Sequence, residues 1–223
     1  MKAIVFDLDG TLVDSAPDLR ATANAVLRSM GYQPLSLETI RSFIGNGVPK
    51  LVERVMKASD IEFTEERHKA LVETFEKLYT EHPVDHTVLY PGVRDALEML
   101  QRRGYALGVC TNKVHSITLR VLEGLKVDQY FGSVIGGDSL PTHKPDPAML
   151  HKCIADLGAD HAVFVGDSEV DAATAQNAGV TFALYTNGYR KSPVSEIPHD
   201  TRFSNFADLA GFLSTVGENT VTL

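Results

Sequence analysis

Residues 2–14 read Lys-Ala-Ile-Val-Phe-Asp-Leu-Asp-Gly-Thr-Leu-Val-Asp. A short apolar run, Ala3 to Phe6, delivers two carboxylates, Asp7 and Asp9, with Gly10 and Thr11 directly behind them. Side chains at i and i+2 of a strand share a face, so the spacing predicts that Asp7 and Asp9 converge where a strand ends and a turn begins. Carboxylates that close repel one another, and the usual relief is a divalent cation or a shared proton. A plain strand ending in an Asp-Gly turn would carry the same residues without chemistry.

Outward from this segment, further apolar runs at Ala106–Cys110, Ser133–Ile135, Ala162–Val165 and Thr181–Tyr185 read as strands. Helical patterns lie between them, at Val93–Arg103, Ser116–Gly124, Pro147–Leu157 and Val170–Ala178, with a last helix expected over about 206–214. Continuous apolar strands alternating with helices predict an α/β fold with a parallel sheet covered on both faces. The stretch 15–83 is different. It has no strand signal and reads as helices: one N-capped by Ser15 with Pro17 in its first turn and ending at Gly31, one over Leu51–Lys57, and one over Thr64–Tyr79. This predicts a helical domain over 15–83 inserted into a core of 1–14 and 84–223. The tethers would lie near 14–15 and 83–91.

The chain has 223 residues and a net charge of −8, with no basic block. That length buries a core without staples, and the charge argues against nucleic acid or an anionic membrane as a partner. The N-terminal apolar run is too short for a secretory signal, and no segment has the ~18 apolar residues of a membrane span. A cytoplasmic protein, monomer or homodimer, is expected. Cys110 and Cys153 form no Cys-x-x-Cys pair and read as small core residues.

In an open α/β sheet, ligands bind at the carboxyl ends of the strands. Those ends carry Asp7 and Asp9; Thr111, Asn112 and Lys113; Lys144 before Pro145; and Gly166, Asp167, Ser168 and Asp171. Asp7-x-Asp9-Gly10-Thr11, Thr111-Asn112, Lys144-Pro145 and Gly166-Asp167-x-x-x-Asp171 resemble, in order, the four motifs of the haloacid dehalogenase superfamily. The second aspartate marks its phosphotransfer branch, and the placement of the helical insertion resembles C1-cap members. Phe43-Ile-Gly-Asn-Gly-Val, Val134-Ile-Gly-Gly-Asp138 and Lys144-Pro-Asp-Pro147 further resemble bacterial phosphoglycolate phosphatases.

The resemblance implies a Rossmann-like, doubly wound parallel sheet with an all-helical cap that opens and closes over the site. It also implies a Mg²⁺-dependent phosphomonoester hydrolase acting on a small phosphorylated substrate, with 2-phosphoglycolate giving glycolate and phosphate. Asp7 would be the nucleophile and Asp9 the general acid and base. Mg²⁺ would be held by Asp7, Asp167 and the backbone carbonyl of Asp9. Lys144, Thr111 and Asn112 would hold the phosphoryl oxygens. Asp171 would brace Lys144 or a metal-bound water, Gly10 and Gly166 would let backbone come close, and Thr11 completes the supporting set. Asn46 and Gly47, in a Gly-Asn-Gly cap segment, would meet the substrate's carboxylate.

Other readings compete. A sugar-phosphate or nucleotide phosphatase, or a hexose-phosphate mutase, could use the same core motifs; a non-catalytic module would leave them unused. Asp171 could be an exposed helix-start acid, Lys113 a solvated lysine and Gly45–Gly47 a plain turn, while Tyr189, after Asn187-Gly188, could rim the site or be a surface aromatic. His143 and His151 are eight apart without a third ligand and read as surface residues.

Overall fold

A computed structural model describes residues 2–209. In chain order the elements are β1 (Lys2–Phe6), β2 (Val13–Asp14), α1 (Ala16–Ser29), α2 (Leu37–Phe43), α3 (Gly47–Ala58), α4 (Glu65–Glu81), β3 (Val88–Leu89), α5 (Val93–Arg102), β4 (Ala106–Cys110), α6 (His115–Gly124), β5 (Ser133–Ile135), α7 (Ala148–Asp156), β6 (His161–Gly166), α8 (Glu169–Ala178), β7 (Thr181–Tyr185) and β8 (Thr201–Phe203). Six of the strands form one sheet in the order β5-β4-β1-β6-β7-β8, every neighbouring pair parallel. The fold is therefore the expected α/β, Rossmann-like sheet. Most of the last expected helix lies outside the described residues.

Strand alternation sorts β1 between two cores. Ala3 and Val5 pack with Met149, Cys153 and Phe164 beneath α7 and α8, while Ile4 and Phe6 pack with Leu97, Val109 and Val165 on the other face. Both cysteines are buried and unpaired, and burial pushes both thiols above the ordinary range. They serve as core volume.

Helices α1 to α4 pack on one another above the carboxyl ends of the strands. Thr64, read from the sequence as the first residue of its helix, is the N-cap of α4 and accepts from the Arg67 N–H at 3.1 Å. Helix α2 was not foreseen: it has seven residues and buries only Ile40, so its periodicity is too short to read. The tethers also differ from plain loops. β2 and β3 pair antiparallel, Asp14 opposite Val88, so the chain enters and leaves the helical unit through one two-stranded ribbon.

A buried carboxylate ties α1 to this ribbon. Asp18 accepts from the His86 N–H at 3.0 Å, the Thr87 N–H at 2.8 Å and the Thr87 hydroxyl at 2.7 Å. Burial alone would raise its pKa, but the Thr87 and His86 donors outweigh burial and hold it below the ordinary carboxylate range. A depressed carboxylate stabilises the fold above its unfolded pKa, and that stability is lost as pH falls through the folded value. Asp18→Asn, which sets an amide N–H against these donors, should lower stability at pH 7 by about 2 kcal/mol. The deficit should shrink on acidification below the unfolded carboxylate range. Urea unfolding of both proteins across pH 3–7 checks this; a deficit that stays constant with pH would rule out the assignment.

Candidate active site

The strand β1 stops at Phe6, one residue before the first acid. Asp7 still follows the sheet, donating its N–H to the Val165 carbonyl at 2.8 Å. The chain then turns back on itself, with the N–H groups of Thr11, Leu12 and Val13 all directed at the Leu8 carbonyl. Gly10 takes φ +93°, and a Cβ there would sit 2.5 Å from Asp167 Oδ2. Asp7 and Asp9 thus converge through this turn rather than by alternation along a strand, and both line the same cavities.

Behind Asp7 lies a buried cluster of charge. Lys144 is 3% exposed, and its Nζ lies 2.8 Å from Asp7 Oδ1 and 2.6 Å from Asp171 Oδ1. Ligand oxygens of Asp7, Asp167 and Asp171 all lie within 4.8 Å of one another. Burial, Asp171 and Asp7 drive Asp167 well above the ordinary carboxylate pKa. Burial, only partly offset by Lys144, pushes Asp7 up to about 6. Carboxylates crowded so that their charge is unfavourable are the donor set a hard divalent cation relieves.

The oxygens are not equally available. Asp171 is fully buried, and the exposed reading of it is wrong. Its Oδ1 faces Lys144, and its Oδ2 accepts from the N–H groups of Asp167 and Ser168 and from the Ser168 hydroxyl, the last at 2.7 Å. That arrangement braces Lys144 and leaves little for a metal. Asp167 Oδ1 accepts from the Thr11 hydroxyl at 3.0 Å, and its Oδ2 accepts from the Tyr189 N–H. Gly166 makes room for Asp171, whose Cβ lies 2.4 Å from where a Gly166 Cβ would stand.

Asp9 faces the other way. Its Oδ1 accepts from the Ser15 hydroxyl at 2.6 Å, so Ser15 serves Asp9 and makes no side-chain cap to α1. Lys113 Nζ donates to both Asp9 oxygens, at 2.9 and 3.0 Å, and to the Tyr79 hydroxyl at 2.8 Å. Lys113 is 4% exposed, which corrects its reading as a solvated lysine. Burial works against its ammonium, but Asp9 and Tyr79 outweigh burial and raise its pKa above the usual lysine value.

Thr111 lines the cavity above Asp7. Asn112 stands there too, but its amide is committed elsewhere: it donates to the Lys144 carbonyl at 3.1 Å and accepts the Lys144 N–H at 2.9 Å. Its side chain holds the Lys144 loop in place. Gly47 lies against the core, where a Cβ would stand 3.2 Å from the Asn112 carbonyl oxygen. Asn46 Oδ1 accepts from Arg54 at 2.9 Å. His143 and His151 are exposed and stand outside the acidic cluster.

One residue, Tyr79, escaped the sequence, and a second, Tyr189, was left between the site's rim and the surface; it lines a cavity with Asp7 and Asp9. Tyr79 sits on α4, 34 positions before Lys113, and only the fold brings them together. Tyr189 is buried, not a surface aromatic: its hydroxyl donates to Asp14 at 2.6 Å and accepts the Ala16 N–H at 3.0 Å. Its position just after Asn187-Gly188 in the loop beyond β7 was the only available signal.

The family model for haloacid dehalogenase-like hydrolases matches residues 4–185. The chain belongs to that family. Among its relatives is the phosphoglycolate phosphatase of Cereibacter sphaeroides (strain ATCC 17025 / ATH 2.4.3), 44% identical over 213 residues, or 96% of this chain and 98% of the relative. That of Rhodobacter capsulatus is 43% identical over 211 residues, 95% of this chain and 96% of the relative. The crystal structure of a predicted phosphoglycolate phosphatase from Haemophilus somnus 129pt superimposes with a TM-score of 0.89 at 34% identity, covering 96% of this chain and 98% of that one. As a haloacid dehalogenase-like hydrolase the chain is an enzyme, and no helix among its described residues is long and apolar enough to cross a membrane.

Proposed function

We propose that this hydrolase is a Mg²⁺-dependent phosphomonoesterase that turns 2-phosphoglycolate into glycolate and phosphate through an aspartyl-phosphate. The observation that carries this reading is the split of the first two acids: Asp7 lies against Lys144 and the acidic cluster, while Asp9 lies against Lys113 and Ser15.

An Asp7 oxygen attacks phosphorus, and the bond from phosphorus to the glycolate oxygen breaks. That leaving oxygen takes a proton from Asp9. Asp9 then takes a proton from the water that attacks the aspartyl-phosphate, which frees phosphate and restores Asp7. Lys144 and the N–H groups around Thr111 and Asn112 hold the phosphoryl oxygens. Asp7 and Asp167, with the Asp9 backbone carbonyl, would hold Mg²⁺, which when bound supplies charge against the phosphate.

Two features support a small substrate. The relatives carry the activity in their names. The helical side of the cavity above Asp7 and Asp9 is Leu19, Ile44, Val48 and Leu51 with two glycines, which gives no side-chain partners to the hydroxyls of a sugar or nucleoside. In this reading residues 15–83 are a cap that swings on the β2–β3 ribbon to admit substrate and then excludes water.

The test is a phosphoester panel with Mg²⁺. The kcat/KM for 2-phosphoglycolate should exceed those of hexose phosphates and nucleotides, and EDTA should abolish phosphate release until Mg²⁺ is restored. Conversion of β-glucose 1-phosphate to an isomer without free phosphate would favour a mutase, and full activity in EDTA would remove the metal from the mechanism.

A further inference from the structure

The small cavity has two unlike walls. The helical wall is Leu19, Ile44, Val48 and Leu51 with two glycines, and it offers no side-chain partner to a charged leaving group. Asn46 lines the neighbouring cavity instead, with its side-chain oxygen on Arg54. The sheet wall carries two carboxylates, Asp7 and Asp9, which repel an anion. Of the two ammonium groups in that wall, Lys144 is taken by Asp7 and Asp171 on the phosphoryl side, and the Asn112 amide is taken by the Lys144 backbone.

We propose that Lys113 is the specificity-determining residue of this site, binding the carboxylate of the leaving group through its Nζ. The proposal rests on the phosphoglycolate phosphatase reading above and deepens it. Lys113 lines the cavity and its Nζ spends its three protons on both Asp9 oxygens and the Tyr79 hydroxyl, so a ligand reaches it by exchange for one of the two contacts to the same carboxylate. A substrate carboxylate oxygen replaces one Asp9 contact. The other Asp9 oxygen and the Tyr79 hydroxyl, at 2.8 Å, keep the ammonium aimed into the cavity. The Tyr79 ring, whose centroid lies 4.5 Å from Nζ, closes the far side. Because the ammonium sits beside the acid that serves the leaving oxygen, it meets a carboxylate one carbon from that oxygen. Specificity then lies in a core residue that the helical unit orients, not in the Gly45–Gly47 loop.

The experiment compares 2-phosphoglycolate with ethyl phosphate, a two-carbon ester without the carboxylate, at saturating Mg²⁺. Lys113 also holds Asp9, so Lys113→Met lowers turnover of both esters. The decisive quantity is the ratio of their kcat/KM values, which should fall about 100-fold through loss of a buried charge-assisted contact. Inhibition by glycolate should weaken at least about tenfold by the same loss, and more than inhibition by phosphate. An unchanged ratio overturns the proposal and leaves Lys113 as a positioning residue for Asp9. A wild-type enzyme with no preference for 2-phosphoglycolate overturns the substrate assignment as well. Should Lys113→Met not fold, Tyr79→Phe carries the test: it removes one anchor of the ammonium and should lower the ratio several-fold, and an unchanged ratio there also counts against it.

Discussion

Asp7→Asn should release phosphate about 10⁴-fold more slowly than the wild type, or slower still, because in the proposed mechanism the amide cannot form the acyl-phosphate. A folding defect would give the same loss, so stability must be measured alongside. The two effects should move in opposite directions. Burial already pushes Asp7 up to about 6, so its charge at pH 7 works against the folded state. The amide removes that charge from beside Asp167 and Asp171, and Lys144 keeps Asp171 as a partner. In EDTA the melting temperature of Asp7→Asn should therefore equal or exceed that of the wild type. The rise in melting temperature on adding Mg²⁺ should shrink, since one proposed ligand is weakened. Full activity would remove Asp7 from the nucleophile's role, and a variant that melts well below the wild type in EDTA would overturn the argument that the Asp7 charge works against the fold.

Lys144→Met should damage both folding and chemistry. The ammonium lies between two buried carboxylates, 2.8 Å from one and 2.6 Å from the other, and removing it leaves them without their shared counterion. Breaking such a buried pair costs about 3–5 kcal/mol. The loss should be read by urea unfolding at pH 7. Asp7 and Asp171 raise the pKa of Lys144 above the usual lysine value against the effect of burial. A raised lysine stabilises the fold below its unfolded pKa, and that contribution fades only as pH rises through the folded value. The deficit should thus be fully present at neutral pH. It should narrow on acidification towards pH 5, where protonation of Asp7 relieves the bare carboxylates. Turnover should fall about 10³-fold or more, as when a transition-state charge partner is lost. A variant as stable as the wild type at pH 7 would mean that Lys144 is not the counterion the geometry makes it.

The sheet was legible because β1, β4, β6 and β7 are apolar runs that each end in polar or glycine-containing turns. The edge strand β8 was not: Thr-Arg-Phe is three residues with an exposed centre, and its pairing to β7 is all that defines it. The four acid- and lysine-bearing loops could be read because each motif is local. What those side chains do to one another could not. Asp171 looks like an ordinary helix-start acid until Lys144 arrives from 27 residues away. Lys113 looks solvated until Tyr79 and Asp9 close on it, and Asn112 looks like a phosphate ligand until its amide is seen on Lys144. Pattern reveals residues that share an element; burial and pairing across elements are decided by the packing of the whole chain.

The ribbon of β2 and β3 has a consequence for how such enzymes diversify. Because Asp14 and Val88 are partners across two strands, the chain leaves the sheet and returns to it at one point. The sheet does not register how much chain lies between them. An exchange of everything beyond that point for another helical assembly would leave the strand order and the acidic cluster untouched. The graft would have to bring its own equivalents of several contacts: a hydroxyl for the Lys113 ammonium, as Tyr79 provides, another for Asp9, as Ser15 provides, and a loop backbone flush against Asn112, as Gly45 and Gly47 provide. Those contacts are the mating surface between the helical unit and the acidic cluster of the sheet.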